Sequence, residues 1–213
     1  MDERDGADHA KMSPVHAAVI VAHPCADSLT HALAERARTG LTAAGHDVTT
    51  VDLYALGFGA AMTPTERERY HGDDPIVDPL VAEQAELVTS AEALVFVYPT
   101  WWSGLPAILK GWLERVMVPG VGFVFDERTG KVRPGLGQVR HIVGVSTYGS
   151  PRVSVGLVND NGRRTLTRAL RMSCGIRARP HWHGLYGVDT ATPDRIEEFA
   201  ASVERAMTEL RCR

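Results

Sequence analysis

Five short runs rich in β-branched and apolar residues, each separated from the next by at least one stretch of helical periodicity, constrain this chain more than any other feature. The runs are His16–Ala22 (HAAVIVA), His46–Asp52 (HDVTTVD), Ala93–Tyr98 (ALVFVY), Arg140–Ser146 and Ala178–Tyr186. The first and third are apolar almost throughout, as strands covered on both faces must be. From Ser28 to Ala44 the period changes. Leu29, Leu33, Ala37 and Leu41 recur every four residues, with Ser28 as N-cap and Gly45 as stop. Further helices are expected over Pro79–Ala91, from Pro106 (carrying Ile108, Leu109, Trp112, Leu113 and Val116), over Gly162–Met172 and over Thr192–Leu210. Strand–helix alternation of this kind folds as an open, doubly wound α/β sandwich with a parallel sheet. Gly57–Asp78 is too long for a mere connector. Gly120–Gly137 reads as an extended flap turning at Thr129-Gly130, and Thr147–Asn161 reads as a loop.

The 213 residues fit one domain, residues 15–213, behind a polar, flexible leader at 1–14. With 23 basic and 26 acidic side chains the net charge is −3, which gives no general reason to bind nucleic acid or an anionic membrane. No apolar run approaches the ~20 residues of a membrane span. The leader has no signal-peptide core, so the expected location is cytoplasmic. Cys25, Cys174 and Cys212 are too scattered for a disulfide framework or a metal clamp and read as reduced thiols. His181 and His183 share one face of a strand, but no third ligand is in view and no metal is expected. Arg163, Arg164, Arg168, Arg171, Arg177 and Arg179 read as a solvated helix face and its exit. Arg164, Arg168 and Arg171 share one face by helical spacing, and a dimer partner is the other reading open to them.

In doubly wound sheets ligands sit beyond the carboxyl ends of the strands, at the topological switch point. Three loops fall there: His23–Ser28, Pro99–Ser103 and Ser146–Arg152. The first carries neither GxGxxG nor GxxxxGK[ST] but runs straight into a helix N-terminus, where free amides and the hydroxyls of Ser28 and Thr30 suit a phosphate. A simple helix cap is the plain alternative for Ser28. Trp101 and Trp102 are costly to leave in water and could wall a flat aromatic ligand, although core packing or a dimer contact suits one of the two rings. The third loop (STYGSP) adds hydroxyls and small residues. A flat, phosphate-bearing ring system fits all three, and flavin is the commonest such cofactor for this topology.

The stretches VIVAHPCADSLTHALAE, VTTVDLYALGFGAAMT, ALVFVYPTWWSGLPAILKGWLERVMVPGVGFVF and VGVSTYGS make the chain resemble the NAD(P)H:quinone dehydrogenases. These are flavodoxin-like flavoproteins that include the DT-diaphorases, the bacterial modulators of drug activity and the oxidoreductase subunits of potassium-efflux systems. The resemblance spans about Val15 to Leu210 and is most specific in WWSGLPAILKGWLERV. It implies a flavodoxin-like sandwich with strand order 2-1-3-4-5. It also implies that His23, Ser28, Leu29 and Thr30 hold the flavin phosphate and ribityl chain, and that Pro99, Thr100, Trp101 and Trp102 meet the ring edge. It implies further that Ser146, Thr147, Tyr148 and Gly149 form the third flavin loop and that Arg195 touches the adenine half of FAD, with FMN the alternative. Trp102, Ser103, Tyr148 and Ser154 fall in the nicotinamide and substrate pocket.

Two departures stand out. Tyr148 replaces one of two glycines in the third loop. Ser154 and Asp160 occupy the positions of a tyrosine and a histidine that lie near flavin N1 and O2 in the resembled family. Aspartate would oppose charge on a reduced flavin, which leaves Tyr148, Arg152 or backbone amides to offset it. The implied activity is ping-pong hydride transfer from NAD(P)H, through flavin N5, to a quinone or similar flat acceptor. A homodimer is implied, with the site at its interface and with Gly57–Asp78 and the flap as partner contacts and lid. The alternatives are a regulatory flavoprotein subunit of a potassium-efflux transporter and a tailoring reductase of an aromatic metabolite.

Overall fold

The computed structural model describes residues 14–210. The leader positions 1–13 and Cys212 lie outside those residues. Five parallel strands, β1 (His16–Val21), β2 (Asp47–Asp52), β3 (Ala93–Pro99), β6 (His141–Tyr148) and β7 (Arg179–Tyr186), form one sheet in the order β2-β1-β3-β6-β7. Counting sheet strands alone, that is the expected 2-1-3-4-5. The register pairs His16 with Asp47, Ala17 with Ala93, Ala93 with His141 and His141 with Arg179.

Alternation within each strand fills both faces. Ala18, Ile20, Leu94 and Phe96 pack with Leu109 and Trp112 of α4 (Ala107–Val116) and with Val81 and Val88 of α3 (Pro79–Ser90). Ala17, Val19, Val95 and Val143 pack with Leu33 and Leu41 of α1 (Leu29–Ala43) and Val203 and Met207 of α8 (Pro193–Thr208). Two buried faces are why β3 and β6 contain only buried positions. The flap is a hairpin of β4 (Phe123–Phe125) and β5 (Val132–Pro134), whose tip hydrogen-bonds Thr129 N–H to Asp126 Oδ1 at 2.8 Å.

Gly57–Asp78 is not wholly irregular. It contains α2 (Pro64–Arg69), six residues with no apolar stripe, fixed by a capping box between Thr63 and Glu66. The segment is held by Arg115 of α4, which donates to Glu66 Oε1 at 2.8 Å, to Asp78 Oδ2 at 2.7 Å and to the Gly59 carbonyl at 2.6 Å. Beside this clamp a Cβ on Gly111 would stand 2.0 Å from the Ala60 carbonyl oxygen, so helix and segment touch backbone to backbone.

The expected loop Thr147–Asn161 contains α5 (Arg152–Leu157), a helix masked in sequence by Val153, Val155 and Gly156, which favour other conformations. The helix expected over Gly162–Met172 runs from Asn161 to Cys174 as α6 (Asn161–Arg164), a π-helical stretch Thr165–Leu170, and α7 (Arg171–Cys174). Cys25 and Cys174 are both unpaired, and no helix among the described residues is long and apolar enough to cross a membrane.

Candidate active site

All three rim loops emerge at the carboxyl ends of β1, β3 and β6. In the first, Ser28 caps α1, its Oγ accepting the His31 N–H at 3.4 Å. The same Oγ lies 2.9 Å from His31 Nδ1, and His31 Nε2 lies 2.8 Å from Asp52 Oδ2 at the end of β2. Both ring nitrogens of His31 thus have a polar partner, the Asp52 carboxylate at Nε2 and the Ser28 hydroxyl at Nδ1. Burial raises the Asp52 pKa, but the His31 bond and the amides of Ala55 and Tyr54 outweigh it and hold the carboxyl below its ordinary range. The first-turn amides of α1 that Ser28 does not cap point outward, as every helix N-terminus leaves them. Leu29 is half-buried and Thr30 is buried. His23 accepts the Cys25 N–H at 3.1 Å, and its ring lies 6.0 Å from that of Trp101.

The second loop is a tight turn, Trp101 to Gly104, closed by reciprocal backbone bonds of 3.3 and 3.0 Å. Its two central residues, Trp102 (φ 48°) and Ser103 (φ 58°), both sit in the left-handed region. Such positions usually carry Asn or Gly, and each costs a larger residue of order 1–3 kcal/mol. The turn leaves the Trp102 side chain fully out in solvent, at 103% relative exposure, while Trp101 is partly exposed. Pro99 is buried at the end of β3. Thr100 ties this loop to the third: its N–H donates to the Thr147 carbonyl at 2.8 Å, and its Oγ1 lies 2.8 Å from Ser146 Oγ.

In the third loop Tyr148 is only 2% exposed. Its ring stacks on Tyr186 at 4.4 Å and its hydroxyl donates to Asp160 Oδ1 at 3.1 Å. Burial, then the Asp160 charge, pushes its pKa far above the usual phenol value, so it is a fixed donor. A Cβ on Gly149 would stand 2.7 Å from Asp189 Oδ2, so the loop lies directly on the turn after β7.

Thr100, Trp102, Ser103, Tyr148, Gly149 and Ser154 line one cavity of about 370 Å³, together with Ser150, Val155 and Val158. Ser146 stands behind it through Thr100. His23, Ser28, Leu29 and Thr30 lie at the neighbouring rim of α1, linked to the second loop through Trp101. Arg195 is near the start of α8, its guanidinium donating 2.6 Å to the Tyr186 carbonyl. Arg152 lies over the Tyr186 ring, 5.9 Å from its centre. His31 and Asp52 went unread in the sequence, although His31 holds the third helical position, where a capping box carries its reciprocal side chain. His181 and His183 do share a face, and burial lowers both pKa values. His181 Nε2 lies 3.0 Å from His141 Nδ1, and among the described residues no three His, Cys, Asp or Glu side chains are grouped to hold a metal.

A doubly wound sheet in this order, with three convergent rim loops, defines a flavodoxin-type protein. The flavodoxin-like fold family matches residues 16–210, and the chain belongs to it. Rat NAD(P)H dehydrogenase (quinone) 1 is 31% identical over 130 residues, 54% of this chain and 47% of that protein. The uncharacterized NAD(P)H oxidoreductase YcaK of Escherichia coli is 32% identical over 105 residues, 49% of this chain and 54% of that one. The chain thus aligns with about half the length of these relatives. The structure of a Methanothermobacter marburgensis NAD(P)H:quinone oxidoreductase superposes with a TM-score of 0.78 at 24% identity, over 92% of this chain and 99% of that one. An FMN-dependent NADH-azoreductase from Bacillus anthracis, solved with FMN, gives 0.68 at 16% identity, over 93% of this chain and 100% of that one.

Proposed function

We propose that the rim cavity takes the ring of a flavin, FAD with FMN as the alternative. The protein would then be an NAD(P)H-dependent oxidoreductase that passes electrons to a quinone or similar flat aromatic acceptor. The observation that carries this reading is the positive-φ turn that brings Trp102 to the lining of one cavity together with Thr100, Gly149 and Ser150. The names of the relatives support it.

The residues present fit such a group. The first-turn amides of α1, with Ser28, suit its phosphate, and Arg195 suits the adenine half of FAD. The backbone of Pro99–Trp102 and of Thr147–Gly149 would border the ring edge, with the Thr100 and Trp101 N–H groups holding the two loops in shape. A flavin supplies a ring that accepts a hydride and releases two electrons. The chain's part is to orient flat partners over that ring and keep water away, with Trp102 as one wall. Asp160 need not oppose reduction, because Tyr148 donates to it and spreads its charge. Arg152 is the nearby cation. Donor and acceptor share one cavity and take turns in it, which is ping-pong kinetics. Val153, Leu157 and Val158 form an exposed apolar fringe on α5 and just beyond it, which supports a homodimer with a second copy closing the site. The flap and Gly57–Asp78 would supply partner contacts.

The test is an anaerobic titration of the purified protein with NADPH and then NADH, read by flavin absorbance. Bleaching by either, and recolouring by a quinone, is the expected result. Protein that stays colourless after incubation with FAD and FMN would end this reading. A monomeric mass in solution would remove the shared site.

A further inference from the structure

Beside the rim cavity, and sharing Val155 with it, runs a second groove of about 690 Å³ along the edge strand β7. Its floor is aromatic. Trp182 and Tyr186 face it, and the Trp182 ring lies over Gly144 of β6, where a Cβ would stand 2.2 Å from the ring. Its wall is cationic, formed by Arg152, Arg163, Arg164, Arg168 and Arg171. Arg163 lies 5.8 Å over Trp182, and Arg171 is braced on the Ala178 carbonyl at 3.0 Å. Outside the groove, Arg36, Arg38, Arg69, Arg115 and Arg133 each reach a carboxylate. None of the five groove arginines has a salt-bridge partner among the described residues. Asp160, the acid in the groove, is engaged by Tyr148. Neighbouring guanidiniums repel one another, and the aromatic floor displaces the water that would screen them. Both costs are relieved by an anion with several oxygens, which planar guanidiniums grip in pairs.

We infer that this groove seats the phosphorylated adenosine end of the dinucleotide donor, so that the protein prefers NADPH to NADH. The inference rests on the hydride-donor reading above and names its substrate. The groove adjoins the rim cavity at Val155, so a dinucleotide with its nicotinamide at Trp102 would carry its phosphates towards the arginines. The adenosine 2′-phosphate, the doubly charged group NADH lacks, meets Arg164 and Arg168, one helical step apart.

Calorimetry on the purified protein tests it with 2′,5′-ADP, 5′-AMP and inorganic pyrophosphate. Saturable 2′,5′-ADP binding is expected, with 5′-AMP at least about tenfold weaker and with affinity falling as salt rises. R164A/R168A should lose about tenfold in 2′,5′-ADP affinity, and the KM of NADPH relative to that of NADH should rise by a similar factor. Wild-type affinity for 2′,5′-ADP in R164A/R168A would overturn the inference. So would 5′-AMP or pyrophosphate binding as tightly as 2′,5′-ADP, since that would mark a general anion patch. If neither dinucleotide reduces the protein, the hydride-donor reading fails, while the 2′,5′-ADP result still decides the groove.

Discussion

Arg115 and the arginines of the β7 groove solve the same problem in opposite ways. Arg115 is 5% exposed and satisfied on all sides by Glu66, Asp78 and the Gly59 carbonyl. It nails an otherwise apolar-poor segment to α4, and its charge is spent. Arg163, Arg164 and Arg168 sit on one short stretch of helix with no carboxylate bonded to any of them among the described residues. Their charge is available. A buried, fully paired guanidinium is structural, whereas clustered unpaired ones hold free energy that a ligand can release.

The largest effect expected from breaking this contrast is at Arg115. R115M should leave Glu66 buried without its partner and cost about 3–5 kcal/mol in urea unfolding, with the midpoint shifted and the slope kept. A loss under 1 kcal/mol would mean that the clamp is not what holds the segment. Acid should separate the regions next. The Arg115 bond, against a smaller effect of burial, holds Asp78 below the usual carboxylate range. Burial pushes Glu66 up, but Arg115 and the Thr63 bonds prevail and its net shift is also downward. Both carboxylates therefore contribute stability that is complete above their unfolded pKa of about 4 and vanishes as pH falls through the lower folded values. Thermal midpoints from pH 6 to 3 should drop less for R115M than for the wild type; parallel curves would contradict the pairing. W102G relieves one positive φ and should raise stability by about 1 kcal/mol while weakening binding of flat ligands at the rim. Unchanged stability would show that the turn is unstrained. The smallest stability effect belongs to R164A/R168A, within about 0.5 kcal/mol of wild type or slightly above it, since mutual repulsion is removed. A loss of more than 2 kcal/mol would make those arginines structural after all.

Legibility in the sequence followed burial. β1, β3 and β6 announced themselves because strands covered on both faces need unbroken apolar runs, and α1 did so through Ser28, its leucines and Gly45. The rim loops came with them, since the ends of those strands fix where the loops fall. α2 stayed hidden because six residues with a buried glutamate present no apolar period, although its Thr63–Glu66 box was there to be seen. α5 stayed hidden because its valines and Gly156 favour other states and tertiary contacts decide. What Tyr148 does was out of reach for a different reason. Its stacking on Tyr186 depends on a strand register that pairs residues far apart in the chain, and no local pattern encodes that. The same is true of the Ser28–His31–Asp52 chain, which joins a helix start to the end of another strand.

Gly144 lies in the middle of the sheet, yet the tilt of Trp182 depends on its having no side chain. A methyl group added there would touch no arginine and alter no surface residue, but it would lift the aromatic floor on which Arg163 rests. Evolution can therefore retune the groove from inside the sheet, along a route that a comparison of surface residues among related chains would pass over.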